Sequence, residues 1–294
     1  MENSKKTVTV QILNAFAENG KGGNPAGVVL NADTLSDKNK LEIAKKVGLS
    51  ETAFVSRSQT ADFKLDFFTP NKQIAHCGHA TVAAFSYLKQ QEVLKSESSS
   101  KETIDGKRNI EMQGDLAFME QLAPTYVAVH PQEDNILASL GLSKTDLIPN
   151  APIRLANTGN SFVIVPVKGQ EVLKKIVPDA DLISKVSETL DLIGYYVFAV
   201  DTTNYDVTTR MFAPRYGIPE EAGTGMAAGP LACYLFDCLH LKKESFRIQQ
   251  GKYMATPSPS LIMVNLKVES GKIKSLMAGG KGLLDRQLEI ELDG

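Results

Sequence analysis

Residues 68–81, Phe-Thr-Pro-Asn-Lys-Gln-Ile-Ala-His-Cys-Gly-His-Ala-Thr, and 212–225, Phe-Ala-Pro-Arg-Tyr-Gly-Ile-Pro-Glu-Glu-Ala-Gly-Thr-Gly, nearly repeat one another. Each opens Phe-x-Pro-x-x-x-Ile, passes a polar cluster and a glycine, and enters an alanine-rich run. Repetition at half-chain scale restricts the fold to two copies of one unit. Other stretches keep the spacing. Gly23-Asn-Pro-Ala-Gly-Val-Val-Leu returns as Gly159-Asn-Ser-Phe-Val-Ile-Val, and Phe54 returns as Phe198, 144 residues later. Each half reads strand, helix, strand, strand, loop, helix, then further strands.

In the first half, Thr7–Leu13 alternates as a strand. Ser36 is a good N-cap for a helix carrying Leu41, Ala44 and Val47, and Gly48 is placed to end it. In the second, Leu182, Ile183, Val186 and Leu190 make the corresponding stripe. The repeated motifs open helices at Ala80–Gln90 and Met226–Leu239. Residues 96–109, rich in Ser, Glu and Lys, read as a solvated turn region. Residues 110–122, 126–129, 261–268 and 287–292 read as strands. The expected domains are 1–125, with 278–294 a candidate to complete it, and 126–277. The fold class is α/β (α+β): two pseudo-symmetric domains with a ligand cleft between them.

A net charge of −2 gives no electrostatic case for nucleic acid or an anionic membrane. No apolar run approaches the ~20 residues of a membrane span. Met1–Lys6 runs straight into the first strand, which predicts no signal peptide. Three cysteines (Cys77, Cys233, Cys238) cannot all pair and read as reduced thiols of a cytoplasmic protein. Among the histidines only His76 and His79 are close, and no metal-ligand spacing accompanies them, so no metal is expected.

The reactive side chains gather in the two motifs. Both helix starts, Gly78-His79-Ala80 and Gly223-Thr-Gly-Met226, follow glycine loops, and unpaired N–H groups there suit a carboxylate. Either loop alone could be only a tight turn; the duplication favours the anion site. Glu51 precedes a buried-looking strand. It is either a solvated junction residue or a general base with a pKa raised by desolvation. His79 could relay a proton, donate a hydrogen bond or cap its helix, and His76 reads as structural or exposed. Glu220 and Glu221 offer a second acid or base, or surface charge. Cys77 sits before a helix N-terminus, where thiolates are stabilised, but its counterpart in the other half is Ala222, which disfavours a two-thiol mechanism.

Together, Asn14-Ala-Phe, Gly23-Asn-Pro-Ala-Gly-Val-Val, Leu49-Ser-Glu-Thr-Ala-Phe-Val, Phe67-Phe-Thr-Pro, Cys77-Gly-His-Ala-Thr, Met211-Phe-Ala-Pro, Glu221-Ala-Gly-Thr-Gly and Gln250-Gly resemble the phenazine-biosynthesis PhzF-like family, within the broader diaminopimelate-epimerase fold. The resemblance covers nearly the whole chain. It implies a β-barrel-like sheet around a central helix in each domain, a homodimer, and cofactor-independent isomerisation of a small carboxylate by proton transfer. By position it implies Glu51 as catalytic acid/base with Ser50 beside it, Gly78 and His79 on one side of the site, and Glu221, Gly225 and Met226 on the other. The chain departs from the family at Glu221 (usually Asp), Met226 (usually Ser) and Thr256 (often Arg). Two rival readings are a Cys77-dependent amino-acid epimerase and a non-catalytic binding protein on the same fold.

Overall fold

The computed structural model describes residues 7–201 and 203–293. The Met1–Lys6 stretch, which carries the expectation of no signal peptide, lies outside them. The chain divides into two compact units, 1–120 with 279–294, and 121–278. No helix among the described residues is long and apolar enough to cross a membrane.

The first unit contains β1 (Thr7–Ala15), β2 (Asn24–Val29), α1 (Asp37–Val47), β3 (Thr52–Ser56), β4 (Phe63–Phe68), β5 (Gln73–Ile74), α2 (Gly78–Gln90), β6 (Ser98–Thr103), β7 (Gly106–Gln113) and β8 (Leu116–Leu122). Pairing runs β1–β2–β3–β4–β6–β7–β8, then to the long final strand Lys272–Glu291, and from it back to β1. The sheet is therefore a closed barrel, with β5 as an outer hairpin on β4. Closure leaves none of the eight strands with an open edge.

Helix α2 fills this barrel. Every residue from Gly78 to Leu88 is buried, as its apolar and small residues on all faces require. Gly282 on the final strand sits so close that an added Cβ would lie 2.6 Å from Cβ of Ser86. That approach lets the Gly282 N–H donate to Ser86 Oγ at 2.9 Å. Outside the barrel, Val8, Val10 and Ile12 of β1 pack with Ile43 and Ala44 of α1. A capping box at Ser36 starts α1, and Gly48 in the left-handed region ends it.

The second unit contains β9 (Thr125–Ala128), α3 (Glu133–Ser139), β10 (Arg154–Asn157), β11 (Ser161–Val167), α4 (Gln170–Lys175), α5 (Ala180–Thr189), β12 (Gly194–Val200), β13 (Val207–Ala213), β14 (Ile218–Glu221), α6 (Gly225–Asp237), β15 (Ser245–Gln250) and β16 (Ser260–Glu269), leading into the final strand, β17. Its pairings from β10 to β16 reproduce those from β1 to β7 in order and sense. β10–β11 is antiparallel, β11–β12 parallel, β12–β13 and β13–β14 antiparallel, β13–β15 parallel and β15–β16 antiparallel. The repeat read from sequence is thus a repeat of topology. Strand β12 shows why its residues read as continuously apolar. Tyr195, Val197 and Ala199 pack with the outer helices, while Phe198 meets Tyr234 of α6 edge-on, with centroids 5.8 Å apart.

One expectation fails in the first unit. Residues 96–109 are not a solvated turn region; they supply β6 and the start of β7. The buried residues of β6 are Ser100, Lys101 and Thr103, so the strand lacks the apolar alternation that marks a half-buried strand.

Candidate active site

In the first unit the parallel β2–β3 pairing places the end of the α1–β3 connection at the barrel, and Glu51 is its last residue. Its backbone carbonyl accepts from Gly27 N at 3.1 Å, and its side chain is buried. Cys77 is the N-cap of α2, followed by Gly78 and His79 in the first turn. The outcome is a sealed contact: His79 Nε2 lies 3.2 Å from Glu51 Oε2, with side chains only 4% and 9% exposed. Glu51 Oε2 has no other hydrogen-bond partner. Cys77 Sγ lies 3.6 Å from His79 Nδ1.

These contacts act on the titration of all three groups. Burial alone would raise the Glu51 carboxyl, but the His79 charge, with help from Ser50, outweighs it and holds the group below the usual carboxylate range. The expectation of a raised Glu51 pKa is corrected accordingly. Burial likewise pushes the His79 imidazolium down, yet the Cys77 sulfur and the Glu51 carboxylate hold it well above the ordinary imidazole range. Burial pushes the Cys77 thiol up. The contacts favour an ionised Glu51 beside a protonated His79, while burial disfavours the Cys77 thiolate.

Glu51, Cys77 and His79 offer donor atoms within 4.8 Å of one another, a convergence from two stretches that ligand spacing in sequence does not reveal. A metal would have to displace protons from both the thiol and the imidazole.

Ser50 is exposed and helps to hold the Glu51 carboxyl down. Gly78 is buried at the first helical position of α2, two residues before the expected helix start at Ala80.

In the second unit, Glu221 ends β14, and Thr224 is the N-cap of α6, with Gly225 and Met226 in the first turn. Thr224 Oγ1 donates to the Glu221 carboxylate. Gln250 organises the turn: its Oε1 accepts from Thr224 N at 3.0 Å and from Tyr196 Oη at 2.9 Å, and its Nε2 donates to Glu221 O at 2.7 Å. The Thr224 N–H is thus committed internally rather than left for a ligand. Gln121 Nε2 holds the Gly225 carbonyl at 2.9 Å. Met226 is partly exposed. Sequence reasoning missed Tyr196, Gln121 and Thr224; Gln250 was signalled only by the Gln-Gly motif. Glu220 is a structural residue here: it makes two 2.8 Å contacts with the buried Arg210, which also donates to the Ile176 carbonyl.

The first unit is thus a closed barrel around a buried helix, with Glu51 and His79 meeting at the start of that helix. The chain belongs to the PhzC-PhzF family of phenazine biosynthesis-like proteins, whose model matches residues 13–284, and it is an isomerase of that family. It is 32% identical to an uncharacterised isomerase of Clostridium acetobutylicum over 96% of this chain and 97% of the other. It is 28% identical to the trans-2,3-dihydro-3-hydroxyanthranilate isomerase of Pseudomonas chlororaphis, over 96% and 94% of the two chains. The crystal structure of a PhzF-family phenazine biosynthesis protein from Bacillus anthracis superposes with a TM-score of 0.88 at 28% identity, covering 98% of this chain and all of the other.

Proposed function

We propose that this isomerase relocates a proton on a small carboxylic acid without a cofactor, with Glu51 taking the proton from carbon. The observation that carries the reading is the buried Oε2 of Glu51, which faces His79 and has no further partner. An ionised carboxylate with an unused lone pair is ready to accept a proton. Its desolvation strengthens every interaction it makes in the transition state.

His79, held protonated, is the complementary donor: it stabilises the negative charge that develops when carbon loses its proton, and it can return a proton to the product. Gly78 at the start of α2, and Gly225 and Met226 at the start of α6, are proposed to bind substrate oxygens. Glu221, oriented by Thr224 and Gln250, is proposed to assist transfer. The relative from Pseudomonas chlororaphis, by its name, isomerises a hydroxylated, amino-substituted carboxylate; a carboxylate of that class is the proposed substrate type. A neutral Cys77 thiol, with Ala222 at the mirrored position, speaks against thiol-based epimerisation. A homodimer remains the proposed assembly.

The test is deuterium wash-in from heavy water over a panel of carboxylates that includes trans-2,3-dihydro-3-hydroxyanthranilate. The wild type exchanges a carbon-bound proton, and Glu51→Gln loses it while keeping the native circular dichroism spectrum. Exchange by Glu51→Gln at the wild-type rate excludes the assignment.

A further inference from the structure

The Glu51–His79 contact has a third member that the isomerisation leaves idle. Cys77 Sγ lies 3.6 Å from His79 Nδ1 and 4.0 Å from Nε2. One donor atom from each of Glu51, Cys77 and His79 falls within 4.8 Å of the other two. Glu51 arrives at the end of the α1–β3 connection, Cys77 is the N-cap of α2 and His79 lies in its first turn. All three are buried. Glu51 Oε2, on a side chain 9% exposed, faces His79 and has no other hydrogen-bond partner. A buried carboxylate oxygen with an unused lone pair, aimed into a thiol and an imidazole, is an open ligand position.

Carboxylate, imidazole and thiolate are the donors that zinc-type ions select. A tetrahedral zinc holds sulfur at about 2.3 Å and nitrogen or oxygen at about 2.0–2.2 Å, which sets neighbouring ligand atoms roughly 3.3–3.6 Å apart. The 3.2 Å from Nε2 to Oε2 matches that spacing, and the 4.0 Å from Nε2 to Sγ exceeds it only slightly. A turn of the His79 ring and of the Cys77 side chain brings both lone pairs onto the ion. Charge also balances. A divalent cation with one carboxylate, one thiolate and a neutral imidazole adds no net charge to the interior. Magnesium and calcium, which take oxygen ligands, do not suit the sulfur.

We propose that Glu51, Cys77 and His79 form an inhibitory site for a thiophilic divalent cation of the zinc type, with water at the fourth position. Binding forms three metal–ligand bonds and releases the thiol and imidazolium protons to solvent, with no change of oxidation state. The inhibition rests on the reading of Glu51 and His79 as the reacting pair: the ion takes the lone pair that would receive the proton from carbon and the nitrogen that would return one.

The experiment adds Co²⁺, a spectroscopic stand-in for Zn²⁺, to the reduced, chelator-treated full chain. One equivalent gives a thiolate-to-metal charge-transfer band, which Zn²⁺ abolishes and excess Mg²⁺ leaves in place. Cys77→Ser loses the band, and Glu51→Gln and His79→Asn each weaken binding at least about tenfold. Cys233→Ala/Cys238→Ala, which removes the other two thiols, keeps it. X-ray absorption on the wild-type Zn²⁺ complex needs no variant: it shows a single sulfur at about 2.3 Å beside nitrogen or oxygen. In deuterium wash-in, one equivalent of Zn²⁺ stops wild-type exchange and EDTA restores it. Cys77→Ser, read against its own metal-free rate, needs at least about tenfold more Zn²⁺.

The site is overturned by a missing charge-transfer band, by a band that survives Cys77→Ser or disappears with the other two thiols, or by a zinc shell without sulfur. Affinity indifferent to both Glu51→Gln and His79→Asn overturns it as well. Bound Zn²⁺ with undiminished exchange overturns the inhibition. If the metal-free wild type exchanges no proton, the isomerisation reading fails by itself, and the charge-transfer and X-ray absorption results still decide the metal site.

Discussion

His79 Nε2 and Glu51 Oε2 stand 3.2 Å apart with both side chains sealed from solvent, and each sets the other's charge. Removing the imidazolium leaves Glu51 with burial as its dominant influence, and burial raises it. In His79→Asn the acid limb of the kcat/KM profile is therefore expected to move up from below the ordinary carboxylate range toward neutrality. Turnover falls about 10²–10⁴-fold, the usual cost of losing a general acid or base. A pH–rate series on the variant checks both; an unmoved acid limb means that His79 does not govern Glu51.

The same pair predicts a stability window. Glu51 is depressed, so its contribution is present above the unfolded carboxylate value of ~4.3 and is lost as pH falls through its folded value. His79 is raised, so its contribution is present below the unfolded ~6.5 and is lost as pH rises through its folded value. Wild type should gain most over a Glu51→Gln/His79→Asn double variant between about pH 4.3 and 6.5. Urea midpoints across pH measure this, and a gain that grows steadily above pH 7 contradicts it.

Lys40 of α1 and Asp66 of β4 form a 2.5 Å ion pair with side chains 7% and 6% exposed. Breaking a buried pair from one side strands a charge, so Asp66→Asn is expected to cost about 3–5 kcal/mol. Replacing both, as Lys40→Met/Asp66→Leu, should recover most of that loss, since the pair's desolvation cost disappears with it. A double-mutant cycle by chemical denaturation reads the coupling.

Gly251 follows the organising Gln250 with φ +77, and an added Cβ would lie 2.2 Å from Ser258 O and 2.7 Å from Ala222 O. Gly251→Ala must move one of those backbones. We expect a loss of about 2–4 kcal/mol and a displaced Gln250, detectable as reduced melting temperature together with reduced turnover. Gly20, also at positive φ but with nothing within 4 Å of an added Cβ, is the control: Gly20→Ala costs about 1 kcal/mol.

How much of this was visible in the sequence depends on whether a residue's role is local. The twin motifs and the Ser36 cap follow from neighbours along the chain, and they appear as read. Glu51 and His79 were each legible as candidates, but their meeting was not, because 28 residues of strand and loop separate them. Missing that contact reversed the direction of the Glu51 pKa. Strand β6 was hidden for a related reason: its buried residues are Ser100, Lys101 and Thr103, and polar partners such as Asp62 for Ser100 and Thr81 for Lys101 compensate for burial where apolarity would. Tyr196 and Gln250 likewise meet across 54 residues, a separation over which periodicity carries no information.

Lys101 yields the last prediction. Its amine is depressed to about 7, while an unfolded lysine titrates near ~10.4. Between these values the unfolded chain holds a proton that the folded chain does not, so wild-type stability rises with pH across that interval. Below pH 7 both states are charged, and the folded state bears the cost of a buried ammonium with no carboxylate among the described residues at ion-pair distance. Lys101→Met removes that cost and fills the same space, so it should exceed wild type by about 3 kcal/mol at pH 6. The advantage should shrink steadily from pH 7 to pH 10. Parallel denaturation curves at pH 6, 8 and 10 decide it: a variant less stable than wild type at pH 6 rules the argument out.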